Sequence, residues 1–152
     1  CQFRTEQIKL VHCADWKSRG TNTSSFMINN FKHCSIEFRG NDGKKHIGGI
    51  PDFQFVPRQF SYESPCKANA FVEFKSPQFS DEGVYIPLKY KKTSEIEHEY
   101  ENCNKIIFTD GISWYFLRKH QIDILEKPVN LIENPDNWDI LKNKITNFVN
   151  EN

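Results

Sequence analysis

Glu73 and Lys75 stand two residues apart in Ala70-Phe71-Val72-Glu73-Phe74-Lys75, a segment whose other members are apolar. In a β-strand successive side chains point to opposite faces. Ala70, Val72 and Phe74 therefore share one face, and Phe71, Glu73 and Lys75 the other. A carboxylate and an ammonium set among apolar neighbours cost free energy unless they pair or bind something. A further acid, Asp52, follows Pro51 inside the apolar run 47–56. Proline removes a backbone donor and suits a strand start or a bulge, where a side chain is re-aimed.

Two carboxylates on adjacent strands can meet at one point. Hard oxygen ligands suit Mg²⁺ or Mn²⁺, which keep several waters and take phosphate oxygens as further ligands. A lysine beside such an ion orients a water and stabilises developing negative charge. Asp52, Glu73 and Lys75 together supply what metal-assisted phosphodiester hydrolysis needs.

The elements that must hold these residues follow from periodicity. Phe3, Leu10, Val11 and Ala14 predict a helix over 3–16, followed by a polar loop over 17–25. Alternation predicts strands over 33–39 and 47–56, joined as a hairpin by the polar turn 41–45 with its Asp42-Gly43 pair. A Pro-containing loop over 57–68 leads to the strand 70–75. An acidic helix is predicted over 93–103. Ile106-Ile107-Phe108-Thr109 and the strand 112–117 are split by Asp110-Gly111, a hairpin signal. Asn134-Pro135-Asp136 opens a last helix with an Asn cap and an early Pro. Its stripe is Trp138, Leu141, Ile145, Phe148 and Val149. The order is helix, three strands, helix, two strands, helix: one mixed α/β domain over 1–152 built round a central sheet.

Pro51-Asp52 followed by Glu73-Phe74-Lys75 resembles the signature of the PD-(D/E)XK nuclease superfamily. The resemblance implies the restriction-endonuclease-like fold, an αβββαβ core with a mixed central sheet flanked by helices and the motif on its second and third strands. It implies a divalent-metal-dependent endonuclease that hydrolyses DNA, in restriction or host defence. Asp52, Glu73 and the Phe74 backbone carbonyl would hold Mg²⁺ or Mn²⁺, with Glu6 as an added ligand from the first helix, and Lys75 would be the catalytic lysine. The run from Ile106 to Trp138 looks like the nuclease domains of type I restriction enzymes. Those carry a Gln-x-x-x-Tyr motif after the lysine, whereas this chain has Ile96 ahead of Tyr100.

Short motifs recur by chance. Asp15-Trp16-Lys17 has the same acid-x-Lys pattern but no strand context, and Pro135-Asp136 opens a helix. Two other readings therefore stand beside the enzyme. One is an inactive nuclease-fold module that binds nucleic acid or a partner protein. The other is a scaffold in which Asp52, Glu73 and Lys75 do not converge. Lys44, Lys45 and His46 in the first hairpin, and Lys89, Lys91 and Lys92, are candidate nucleic-acid contacts. Glu37 reads as a solvent-facing strand acid, the acids 95–101 as a solvated helix face, and Trp114, Tyr115 and Phe116 as core rather than a base-stacking platform.

The 152 residues carry 20 basic and 20 acidic side chains, which argues against a polybasic nucleic-acid binder. Residues 1–80 nevertheless hold a net charge of +4 and residues 81–152 a net of −4. A basic surface round Asp52, Glu73 and Lys75, with the acidic helix facing away, is the expectation. No run approaches the ~18 apolar residues of a membrane-spanning helix. Five cysteines, odd in number and without a CxxC pair, predict reduced thiols in a cytoplasmic protein and no zinc site. The opening Cys1 predicts a piece of a longer polypeptide, with further domains or subunits attached.

Overall fold

The computed structural model describes residues 7–13, 33–61, 64–121 and 126–151. Its centre is a six-stranded mixed sheet with a helix on each face. β1 (Ile8–His12), β4 (Phe53–Pro57) and β5 (Ala70–Phe74) run antiparallel in that order, and β8 (Lys105–Thr109) joins β5 in parallel. β9 (Ser113–Arg118) and β10 (Val129–Asn130) complete the sheet with antiparallel pairings. Two small hairpins stand apart: β2 (Ile36–Arg39) with β3 (Lys45–Gly48), and β6 (Gln78–Phe79) with β7 (Tyr85–Ile86).

The period-2 alternation on the central strands divides the core. Ala70, Val72, Ile107 and Phe116 face α2 (Asn137–Asn150), which returns Leu141, Ile145, Phe148 and Val149. Phe71, Ile106, Phe108 and Tyr115 face α1 (Ser94–Glu99), which returns Ile96, followed by Tyr100. Each fully buried Leu, Ile or Phe contributes about 1.5–3 kcal/mol. Tyr115 and Phe116 are core residues, as expected.

Three elements differ from expectation. Residues 8–12 are a strand, not a helix. Paired with β4 from Ile8↔Pro57 to His12↔Phe53, they gain a ladder that the i, i+3 pattern in sequence could not foresee. Residues 3–6, Glu6 among them, and 14–16 of the expected first helix lie outside the described residues. The run 47–56 is broken in two. Gly49 has φ +77°, and a Cβ there would lie 2.9 Å from the His98 carbonyl oxygen, so only glycine fits. The chain leaves the β2–β3 hairpin at this point, passes buried Pro51 and enters the main sheet as β4. The last helix starts at Asn137, because Asn134 Oδ1 caps the preceding turn through the Asp136 N–H at 2.9 Å.

The cysteines among the described residues (Cys13, Cys34, Cys66 and Cys103) are free thiols. No described helix is long and apolar enough to cross a membrane.

Candidate active site

Asp52 sits immediately before β4, where the break at Gly49 and Pro51 turns the chain. Its carbonyl accepts the Cys13 N–H at 2.7 Å, which extends the β1–β4 ladder by one bond. Its Oδ2 accepts the Phe74 N–H at 2.8 Å. The second acid of the motif is one residue away: Glu73, on the α1 face of β5, is 4% exposed. Asp52 and Glu73 line one cleft of about 660 Å³. The β2–β3 hairpin walls it with Phe38 and Arg39, and α1 closes it with Glu95 and His98.

Lys75 donates from Nζ to Glu73 Oε1 at 2.6 Å and to Glu95 Oε2 at 2.9 Å. Its backbone N–H continues the β5–β8 direction by donating to the Thr109 carbonyl at 2.8 Å. Partial burial alone would push the ammonium pKa down. The bonds to Glu73 and Glu95, together with their charges, outweigh it and hold the pKa above the usual lysine range. Lys75 is therefore a fixed cation.

Burial pushes the Glu73 pKa up, and the nearby Asp52 and Glu95 charges add to this. Hydrogen bonds from Glu99 and Lys75 oppose it. Glu99 itself is fully buried, and among the described residues no donor reaches either of its oxygens. Desolvation, then the charge of Glu73, pushes its pKa up to about 10. At neutral pH Glu99 is thus a carboxylic acid whose own O–H serves Glu73, a carboxyl–carboxylate pair behind the cleft.

The sequence reading missed Glu95 and Glu99. The helix was expected to turn its acids to solvent, away from the site; instead α1 packs on the site and delivers both. Their i, i+4 spacing was the available signal, because it puts two acids on one helix face. Thr93 starts that helix, its Oγ1 accepting the Ile96 N–H at 3.3 Å. Ile96 and Tyr100 are buried in the core, so the position ahead of Tyr100 offers the site no polar group.

The basic candidates divide. Lys45 pairs with exposed Glu37 at 3.5 Å, and His46 with Asp42 at 2.9 Å. Neither they nor Lys44 lines the cleft. Lys92 pairs with Glu97 at 2.9 Å. Lys89 and Lys91 are exposed and line a groove on the other side of Lys75.

The donor set fits a hard divalent cation of the Mg²⁺ type. Asp52 keeps one carboxylate oxygen free of the Phe74 bond, and Glu73 adds another hard oxygen. Mg²⁺ commonly takes one or two carboxylates and fills its octahedron with water and phosphate. Among the described residues no three His, Cys, Asp or Glu side chains are grouped so that they could hold a metal ion together.

No protein-family model matches the chain, and neither curated proteins nor solved structures show significant similarity to it.

Proposed function

We propose that this chain is a divalent-metal-dependent endonuclease of the PD-(D/E)XK type that hydrolyses DNA phosphodiester bonds, in restriction or host defence. The observation that supports the reading is that Asp52, just before β4, and Glu73, on β5, line one cleft, while Lys75, just past β5, pairs with Glu73 and the Phe74 N–H bonds Asp52. The sheet supports it. β1, β4 and β5 form an antiparallel meander, α1 crosses over, and β8 lies parallel to β5. That succession accords with the strand–strand–strand–helix–strand part of the core the resemblance implies, with the β2–β3 hairpin between its first two strands, whereas residues 8–12 of the expected leading helix are a strand.

In this reading Asp52, Glu73 and the Phe74 carbonyl hold Mg²⁺ or Mn²⁺, which when bound neutralises phosphate charge and acidifies a water. The chain's own groups do the rest. Lys75 stays protonated and presents N–H donors where negative charge develops on the phosphate. Glu95, half-exposed, holds Lys75 in place before substrate arrives and can exchange for a phosphate oxygen. Asp52→Ala and Lys75→Ala should each abolish Mg²⁺-dependent cleavage of DNA, single- or double-stranded, while thermal unfolding stays cooperative. Cleavage at the wild-type rate by either variant would overturn the assignment.

A binding module of the same fold without chemistry is the second reading. Buried Ile96, in place of the motif glutamine, favours it. It requires DNA binding without any affinity for Mn²⁺.

A further inference from the structure

Beyond Lys75 a second groove of about 590 Å³ runs along the β6–β7 hairpin. The Lys75–Glu95 ion pair forms the ridge between it and the cleft of Asp52 and Glu73. Its chemistry is split. Ile86, Leu88 and Phe108 give an apolar floor, Gln78 a side-chain amide, and Lys89 and Lys91 two cations. Gln78 and Ile86 are cross-strand partners, so both face the groove from one side of the hairpin. Ile86 is 46% exposed despite its size.

The groove is rigidly held. Tyr85 Oη donates to Asp110 Oδ2 at 2.6 Å, lies 2.8 Å from Ser113 Oγ, and accepts the Leu88 N–H at 3.2 Å. Tyr115 Oη donates to the Leu88 carbonyl at 2.8 Å. The two acids that line the groove are both engaged, Glu95 by Lys75, and Asp110 by Tyr85 and the N–H groups of Ile112 and Ser113. Among the described residues neither Lys89 nor Lys91 is in an ion pair. The net charge the groove offers a ligand is therefore positive.

We infer that this groove takes an unpaired stretch of the DNA strand flanking the scissile phosphate, with phosphates on Lys89 and Lys91 and a base lying on Ile86. The inference rests on the nuclease reading and narrows its substrate to single-stranded or frayed DNA. A base inside a duplex shows only its edge to a protein; its apolar face becomes available once it leaves the stack. An apolar floor beside two lysines matches a base face beside a phosphate, and has no counterpart on a duplex backbone.

The test is binding in EDTA, so that it does not depend on cleavage. Fluorescence anisotropy compares labelled oligothymidylate with the same strand in a duplex, across a salt series. Oligothymidylate should bind about tenfold tighter or more. Lys89→Ala/Lys91→Ala should weaken it and flatten the slope of log affinity against log salt by about 1.4, since each phosphate contact on a single strand contributes ~0.7. Ile86→Ser should weaken the single strand and leave the duplex unchanged. Equal or tighter duplex binding, or an unchanged salt slope in the double variant, overturns the inference. A wild-type protein that binds as expected but never cuts with Mg²⁺ defeats the nuclease reading alone. One that cuts duplex DNA equally well with and without the two lysines defeats the groove alone.

Discussion

The Phe74 N–H donates to Asp52 Oδ2 at 2.8 Å. One hydrogen bond thus joins the two halves of an acidic site that lie on different strands. It fixes which Asp52 oxygen is left free, and it does so next to Glu73, whose side chain faces α1. An asparagine at 52 can still accept this bond, whereas an alanine cannot. Asp52→Asn should therefore keep thermal stability within ~0.5 kcal/mol of wild type, and Asp52→Ala should lose about 1 kcal/mol. Both should lose divalent-cation affinity. Thermal melts with and without Mn²⁺ separate the two effects, and an Asp52→Asn protein still stabilised by Mn²⁺ would count against Asp52 as a ligand.

Lys75 is the main positive charge holding the Glu73 pKa down against burial and the charges of Asp52 and Glu95. Lys75→Met keeps most of the side-chain volume and removes that charge. The Glu73 pKa should then rise further. Because a cation ligand must be deprotonated, cation affinity should fail at a higher pH than in wild type. The rate of Mg²⁺-dependent cleavage should drop by ~10²–10³. An acidic limb at the wild-type pH would show that Lys75 and Glu73 are not electrostatically linked.

Glu99 should make the protein less stable as pH rises. Its pKa stands at about 10 in the fold against an ordinary 4.5. Folded chains hold a proton that unfolded chains release across that window, so stability is full below pH ~4.5 and falls towards pH 10. Glu99→Gln keeps a donor for Glu73 and cannot ionise. It should match wild type near pH 4 and exceed it by up to about 5 kcal/mol at pH 8. A difference in melting temperature that does not change with pH would contradict the buried neutral acid.

Gly49 and Gly43 both have positive φ, at +77° and +73°, but only Gly49 is crowded. Gly43→Ala should cost about 1 kcal/mol from the backbone alone. Gly49→Ala adds a clash with the His98 carbonyl and should cost about 2–3 kcal/mol. It should also weaken cation binding, because this turn delivers Asp52. Equal melting temperatures for the two variants would show that the turn is not pinned against α1.

Local signals reached far into this fold. β5, the β8–β9 hairpin round Asp110-Gly111 and the α2 stripe follow from alternation, turn chemistry and helical spacing, except that Trp138, expected in that stripe, is 41% exposed. That Asp52 and Glu73 line one cleft and that Lys75 pairs with Glu73 was legible too, because strand alternation sets the face and Pro51 marks the turn. Non-local pairing was not. Residues 8–12 become a strand because β4 supplies a partner, and the run 47–56 breaks at Gly49, whose positive φ turns the chain close against the His98 carbonyl. The acids of α1 were misjudged for the same reason. A helix rich in glutamate reads as solvated until a crossover packs it over the sheet. The charge split along the chain then gives no guide to where each charge ends up: the acidic half contributes Glu95 and Glu99 to the site of the basic half.

The central claim is that Asp52 and Glu73 form an open cation site beside Lys75. A Mn²⁺ titration followed by electron paramagnetic resonance tests it most directly. Wild type should take up Mn²⁺ and keep it water-accessible, and Asp52→Ala and Glu73→Gln should each abolish that uptake while remaining folded. No uptake by wild type, or uptake unchanged in both variants, would contradict the account.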